Sequence, residues 1–160
     1  MKQRQKGFSL IELLIVVAII LIIAAIAIPN LLRARMQANE SSAVSSMHAV
    51  NTASISYSTL FPTVGFAPSL IALGDGGSPP CVGNSSASCY LDNTLAGGTK
   101  SGYTFTYTQD SSLTPSLHYT ITADPVSRGI TGQRGFFTSD SNVIRYNTAG
   151  TAASTDSPLQ

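Results

Sequence analysis

Glu12 is the residue whose placement most asks for a chemical role. It stands four positions after Phe8 in KGFSLIELLIVVAIILIIAAIAIPNLL (Lys6–Leu32), a run that is aliphatic almost throughout. An ionisable group in such a segment is costly in lipid and marks function, with a partner to be named. Two partners are open. Ser9-Leu10-Ile11-Glu12 matches a capping box, in which the serine caps helix N–H groups and the glutamate reaches back to the serine amide. Alternatively, a cut after Gly7 gives Phe8 a free α-ammonium. That is an opposite charge at the same depth, on this chain or on a neighbouring copy.

Other residues with chemical potential are few. Cys81 and Cys89, in PPCVGNSSASCY, lack the C-x-x-C spacing of zinc and redox sites. A disulfide closing this short loop is the preferred reading, worth roughly 2–3 kcal/mol through the entropy of loop closure. Two unpaired structural cysteines are the alternative. A disulfide implies an oxidising compartment for the C-terminal part. His48 and His118 have no metal spacing and no evident carboxylate partner in the sequence, and read as solvent-facing or ordinarily hydrogen-bonded rather than as ligands. Gly97–Gly102 (GGTKSG) lacks the spacing of a phosphate loop. Asp140-Ser141-Asn142 has residue types found in calcium loops but reads as a turn. Asn39-Glu40-Ser41 and Asn84-Ser85-Ser86 fit the N-glycosylation sequon, a pattern common by chance. The Ser/Thr-rich surface leaves O-glycosylation open. No G-x-S-x-G is present. These readings leave no catalytic residue, no metal site and no cofactor to expect.

The elements that must position Glu12 follow from charge and hydropathy. The chain has 160 residues, nine basic and eight acidic, a balance that argues against a nucleic-acid surface. Three of the bases, Lys2, Arg4 and Lys6, fall in the first six positions. Phe8–Ile28 is apolar except at Ser9 and Glu12, and is long enough to cross a bilayer as a helix. The positive-inside rule puts its basic end in the cytoplasm and the rest of the chain outside. An ordinary secretory signal has a shorter apolar region followed by a small-residue cleavage site. Here the notable small residue, Gly7, precedes the run, so a cut there removes the charges and keeps the helix.

From Asn30 the pattern becomes amphipathic. Met36, Ala43, Met47, Val50, Ser54 and Tyr57 follow a near-heptad seam, read as packing against the protein's own sheet. Ser41 to Gly74 contains no Asp, Glu, Lys or Arg, so the opposite helix face is cheap to bury between subunits. Arg33 and Arg35, just past Pro29, could reach the outer membrane–water interface or another subunit. A helix from Phe8 to about Leu60 would be roughly 80 Å long, too long to bury itself in one small domain.

After Leu60 the composition turns to Gly, Pro, Ser and Thr. Phe61–Gly98, with Pro62, Pro68, Pro79 and Pro80, reads as a loop-rich connector. Tyr103–Thr108 (YTFTYT) and Leu117–Ala123 (LHYTITA) alternate with period two and predict strands, the latter with Leu, Tyr and Ile on one face. GFFTSDSNVIRYN predicts two short strands around a turn at Ser139–Asn142. The expected fold is α+β, with about four antiparallel strands packed on the outer half of the helix. TAGTAASTDSPLQ reads as a polar, poorly ordered tail.

These residues together resemble a known family. Met1–Gly7 followed by FSLIELLIVVAIILIIAAIAIPNLLRAR is similar to the class III signal of type IV pilins and type II secretion pseudopilins, over roughly residues 1–60. The family's basic leader, Gly, Phe and following Glu are matched by Lys6, Gly7, Phe8 and Glu12, and its proline by Pro29. The resemblance implies a leader (1–7), a long helix (8–60, with 8–28 as membrane span and filament core) and a globular head (61–160). It also implies cleavage between Gly7 and Phe8 by prepilin peptidase, with methylation of the new Phe8 amine by the same enzyme. Glu12 would pair with the Phe8 amine of a neighbouring subunit during assembly, and the helix near Pro29 would lose regular hydrogen bonds in the fibre. The chain would be an enzyme's substrate and not an enzyme. Its implied partners are identical subunits, the peptidase, the assembly machinery and, before assembly, the cytoplasmic membrane. No specific nucleic-acid site is evident.

The function this favours is a pilus subunit serving motility, adhesion or DNA uptake. It would be a single-pass inner-membrane precursor and then part of a surface filament. A pseudopilin in a periplasmic pseudopilus is the nearest alternative. A binding or sensing domain on an uncleaved membrane tether is the alternative of another class.

Overall fold

The computed structural model of the protein describes residues 8–77 and 80–159. The chain divides into two compact units, Met1–Arg35 and Met36–Gln160. Helix α1, Leu10–Leu60, contributes to both and carries Pro29 inside it. Leu, Ile and Ala dominate its first part, and no glycine interrupts it.

In the second unit, α1 buries Ala43, Met47, Val50, Ser54 and Tyr57, which are residues of the predicted seam, while Met36 is half-buried. Opposite them lies a six-stranded antiparallel sheet in simple sequence order. Its strands are β1 (Thr99–Lys100), β2 (Tyr103–Gln109), β3 (Tyr119–Pro125), β4 (Gly135–Ser139), β5 (Arg145–Asn147) and β6 (Ser157–Pro158). Tyr103 and Phe105 of β2, Tyr119, Ile121 and Ala123 of β3, and Phe136 of β4 join the helix residues in one core. Alternation explains the burial: Thr104, Thr106 and Thr108 face out between the buried aromatics. Full burial of a large apolar side chain such as Phe136 or Ile121 is worth about 1.5–3 kcal/mol.

A polar contact fixes the register of helix on sheet. Tyr119 Oη donates to Asn51 Oδ1 at 3.0 Å, and Asn51 Nδ2 donates to Thr138 Oγ1 at 3.3 Å, all within the core. Any sliding of α1 would leave these groups buried without partners.

The structure departs from the sequence expectations in several places. There are six strands instead of about four, because two-residue strands flank the longer ones. Leu117 is 56% exposed and precedes β3, so the buried face is Tyr119, Ile121 and Ala123. The connector contains two short helices, α2 (Leu70–Leu73) and α3 (Asn93–Ala96). Ser69 Oγ and Asp92 Oδ1 cap them by accepting the Ala72 and Leu95 amides. The C-terminal segment is not a loose tail. Asp156 accepts Asn147 Nδ2 and the Ala153 amide, Ala152 is buried, and the Leu159 amide donates to the Ile144 carbonyl.

Cys81 and Cys89 are joined, with their Cα atoms 5.9 Å apart. Within the loop they close, Ser85 offers its carbonyl to Tyr57 Oη of α1 at 2.7 Å. Replacing both cysteines by serine is expected to cost about 2–3 kcal/mol. Urea unfolding of the oxidised chain and of the variant in detergent checks this; equal midpoints would refute it.

Candidate processing and assembly site

Phe8 precedes α1 and is 81% exposed. In the first helical turn, Glu12 folds back so that Oε2 accepts the Ser9 amide at 2.9 Å. The Leu13 amide donates to the Ser9 carbonyl at 3.2 Å. Thus the glutamate half of the capping box forms, while the Ser9 hydroxyl caps no amide among the described residues. Glu12 also places negative charge at the positive end of the helix dipole. Its other oxygen, Oε1, is unpaired among the described residues and available to a second donor. Gly7 and the bases Lys2, Arg4 and Lys6 lie outside the described residues.

From Leu10 to Leu32 every large apolar side chain is exposed, from 41% at Leu32 to 80% at Leu10. α1 is long and apolar enough here to cross a membrane, and none of that stretch is buried within the chain. A helix satisfies its backbone groups internally, as a hydrocarbon environment requires, apart from the one N–H that Pro29 lacks. An apolar surface of this extent marks a partner that is lipid or protein.

The head holds a second charged centre that the sequence reading did not single out. Glu40 is 7% exposed. Its Oε1 accepts the amides of Gln133 (2.8 Å) and Arg134 (3.1 Å), and its Oε2 accepts Arg134 Nε at 2.7 Å. The Arg134 guanidinium lies 5.6 Å from the Phe136 ring centroid and 5.5 Å from that of Tyr146. Burial by itself would raise the Glu40 carboxyl. The Gln133 amide, the Arg134 side chain and amide, and the Arg134 charge outweigh burial and hold it below the ordinary carboxylate value. A signal was available. The step from Met36 to Ala43 skips one seam position, and Glu40 occupies it.

The remaining candidates separate cleanly. His48 is exposed, as expected. His118 is exposed too, but it has a carboxylate partner after all: Nδ1 lies 3.1 Å from Asp140 Oδ2. Antiparallel strands bring the two together across twenty-two positions of sequence. Ser139–Asn142 is a turn, closed by the Asn142 amide on the Ser139 carbonyl, with Asn142 at φ 58°. Gly97–Gly102 contains the β1–β2 hairpin turn, with Ser101 and Gly102 both at positive φ. Asn39 spends its Nδ2 on the Thr131 carbonyl, whereas Asn84 is exposed. Among the described residues no three His, Cys, Asp or Glu side chains gather as a metal site would require.

Residues 2–28 match the family described as the prokaryotic N-terminal methylation motif. The chain is also similar over part of its length to type IV major pilins. The type IV major pilin protein PilA of Myxococcus xanthus is 46% identical over 72 residues, 41% of this chain and 33% of that protein. The type IV wide pilus major component PilA4 of Thermus thermophilus is 71% identical over 35 residues, 22% of this chain and 27% of that protein. The chain thus matches about a third or less of the length of these relatives. No solved structure matches it. The methylation motif takes in Phe8, Glu12 and most of the exposed apolar run, and stops before Pro29. The Glu40 centre and the disulfide loop lie outside it.

Proposed function

We propose that this chain is the structural subunit of a type IV pilus. One observation carries the reading: a methylation motif is continuous with a helix whose large apolar side chains are all exposed from Leu10 to Leu32. Such a helix has two natural environments, a bilayer and a bundle of identical helices. The subunit passes from one to the other. The precursor spans the inner membrane with its leader in the cytoplasm, and the subunit ends in a surface filament. Prepilin peptidase cuts between Gly7 and Phe8 and methylates the Phe8 amine. The free Glu12 oxygen then meets the Phe8 ammonium of a neighbouring copy. Pro29 withholds one helix N–H and marks where the helix gives way in the fibre. The part played by the chain is structural, with no catalytic step of its own.

Mass spectrometry of the mature N-terminus tests this directly. The expected first residue is Phe8 carrying one added methyl group, in material that sediments with fibres sheared from the cell surface. An intact Met1 in the mature protein would overturn the proposal.

A further inference from the structure

Leu13 through Leu32 are twenty consecutive residues without a charge, all within α1. At 1.5 Å per residue they extend about 30 Å, which matches the hydrocarbon core of a bilayer. Glu12 and Arg33 therefore bracket the span. Arg33 and Arg35 are exposed, and neither forms an ion pair among the described residues. Helical geometry sets them about 200° apart around the axis, so they address opposite sides of the helix. Lipid surrounds a lone span, so headgroups meet both sides at once.

We propose that Arg33 and Arg35 form a cationic collar that binds the phosphate groups of outer-leaflet phospholipids and fixes the depth of the span. The inference rests on the membrane-span reading above. A guanidinium suits this role because its planar fork makes paired, charge-assisted hydrogen bonds to phosphate oxygens. The collar also gives leader removal a consequence. Before the cut, Lys2, Arg4 and Lys6 hold the inner side. Afterwards Arg33 and Arg35 are the only basic side chains beside the span, so the hold on lipid passes from the inner to the outer leaflet.

The test uses the full chain in vesicles of phosphatidylethanolamine and phosphatidylglycerol in phosphate-free buffer, isotope-labelled at the arginine Cζ carbons. Solid-state NMR then measures carbon–phosphorus proximity. The wild type should show arginine carbons close to lipid phosphorus, and Arg33→Gln with Arg35→Gln should lose most of that signal. The preference of spin-labelled phosphatidylglycerol over phosphatidylcholine for sites beside the protein should fall roughly fivefold per arginine removed. Absence of the proximity signal in the wild type would overturn the proposal. A signal unchanged in the double variant would do the same by assigning it to other arginines. Failure of the span itself reads differently, since a chain that does not insert would not float with the vesicles whichever side chains it carries.

Discussion

Glu12→Gln is expected to yield a chain that is cut and inserted but almost absent from fibres, with surface-sheared protein reduced at least a hundredfold. The choice of glutamine matters. In the structure Glu12 accepts the Ser9 amide through Oε2, and a glutamine carbonyl can do the same, since Gln serves in capping boxes as well as Glu. If capping were the whole role of Glu12, the glutamine variant would assemble. If the carboxylate neutralises the Phe8 ammonium of a neighbour, removing it leaves an ammonium unpaired in an apolar bundle. Breaking one partner of a buried ion pair costs about 3–5 kcal/mol, or roughly two to nearly four orders of magnitude in the equilibrium. Immunoblots of sheared and membrane fractions measure the split. Normal amounts of fibre from the glutamine variant would refute the ion pair and leave the cap.

Glu40→Ala should unfold the head far more readily, by about 3 kcal/mol, without touching the proposed cleavage junction. The carboxylate accepts three N–H groups from the β3–β4 connection, at Gln133 and Arg134. Two of these are backbone amides, each costing about 1–3 kcal/mol if left buried and unpaired. Arg134 can still reach water, since its side chain is 37% exposed, so the arginine adds little to that sum. The same centre gives a pH dependence. Glu40 has its folded-state pKa lowered, so it contributes stability that is present above its unfolded value and lost as pH falls through the folded one. Acid unfolding of the full chain in detergent, followed by near-ultraviolet circular dichroism of the tyrosines, should therefore show a carboxylate transition that the alanine variant lacks. An unchanged acid profile in the variant would rule out this account.

The two centres differ in how plainly the sequence announces them. Glu12 is legible because its context is local: a run of aliphatic residues, a glycine before it and a phenylalanine four positions away. Glu40 belongs to the same helix and is just as isolated among uncharged neighbours. Its partners lie some ninety positions downstream, at Gln133 and Arg134, and only the folded sheet delivers them. The head follows the same division. β2 and β4 could be read from alternation and turn residues. The short strands β1 and β6 could not, because two residues carry no period. The final segment misled by composition alone, since Ala, Ser, Thr and Gly look unstructured until Asp156 finds Asn147 and Leu159 reaches the chain at Ile144. His118 and Asp140 are another long-range pair with no sequence signature.

The brevity of β1 and β6 has a meaning beyond the single molecule. They form the two rims of the sheet, and each offers only two residues of pairing backbone. β6 ends in Pro158, which donates no amide. A long open rim would be a template for strand addition by any neighbouring head. Pilus growth would crowd identical heads at very high local concentration, the condition that most favours such runaway stacking. With both rims blunted, the proposed growth by helix packing would proceed without the competing route to amyloid-like aggregates.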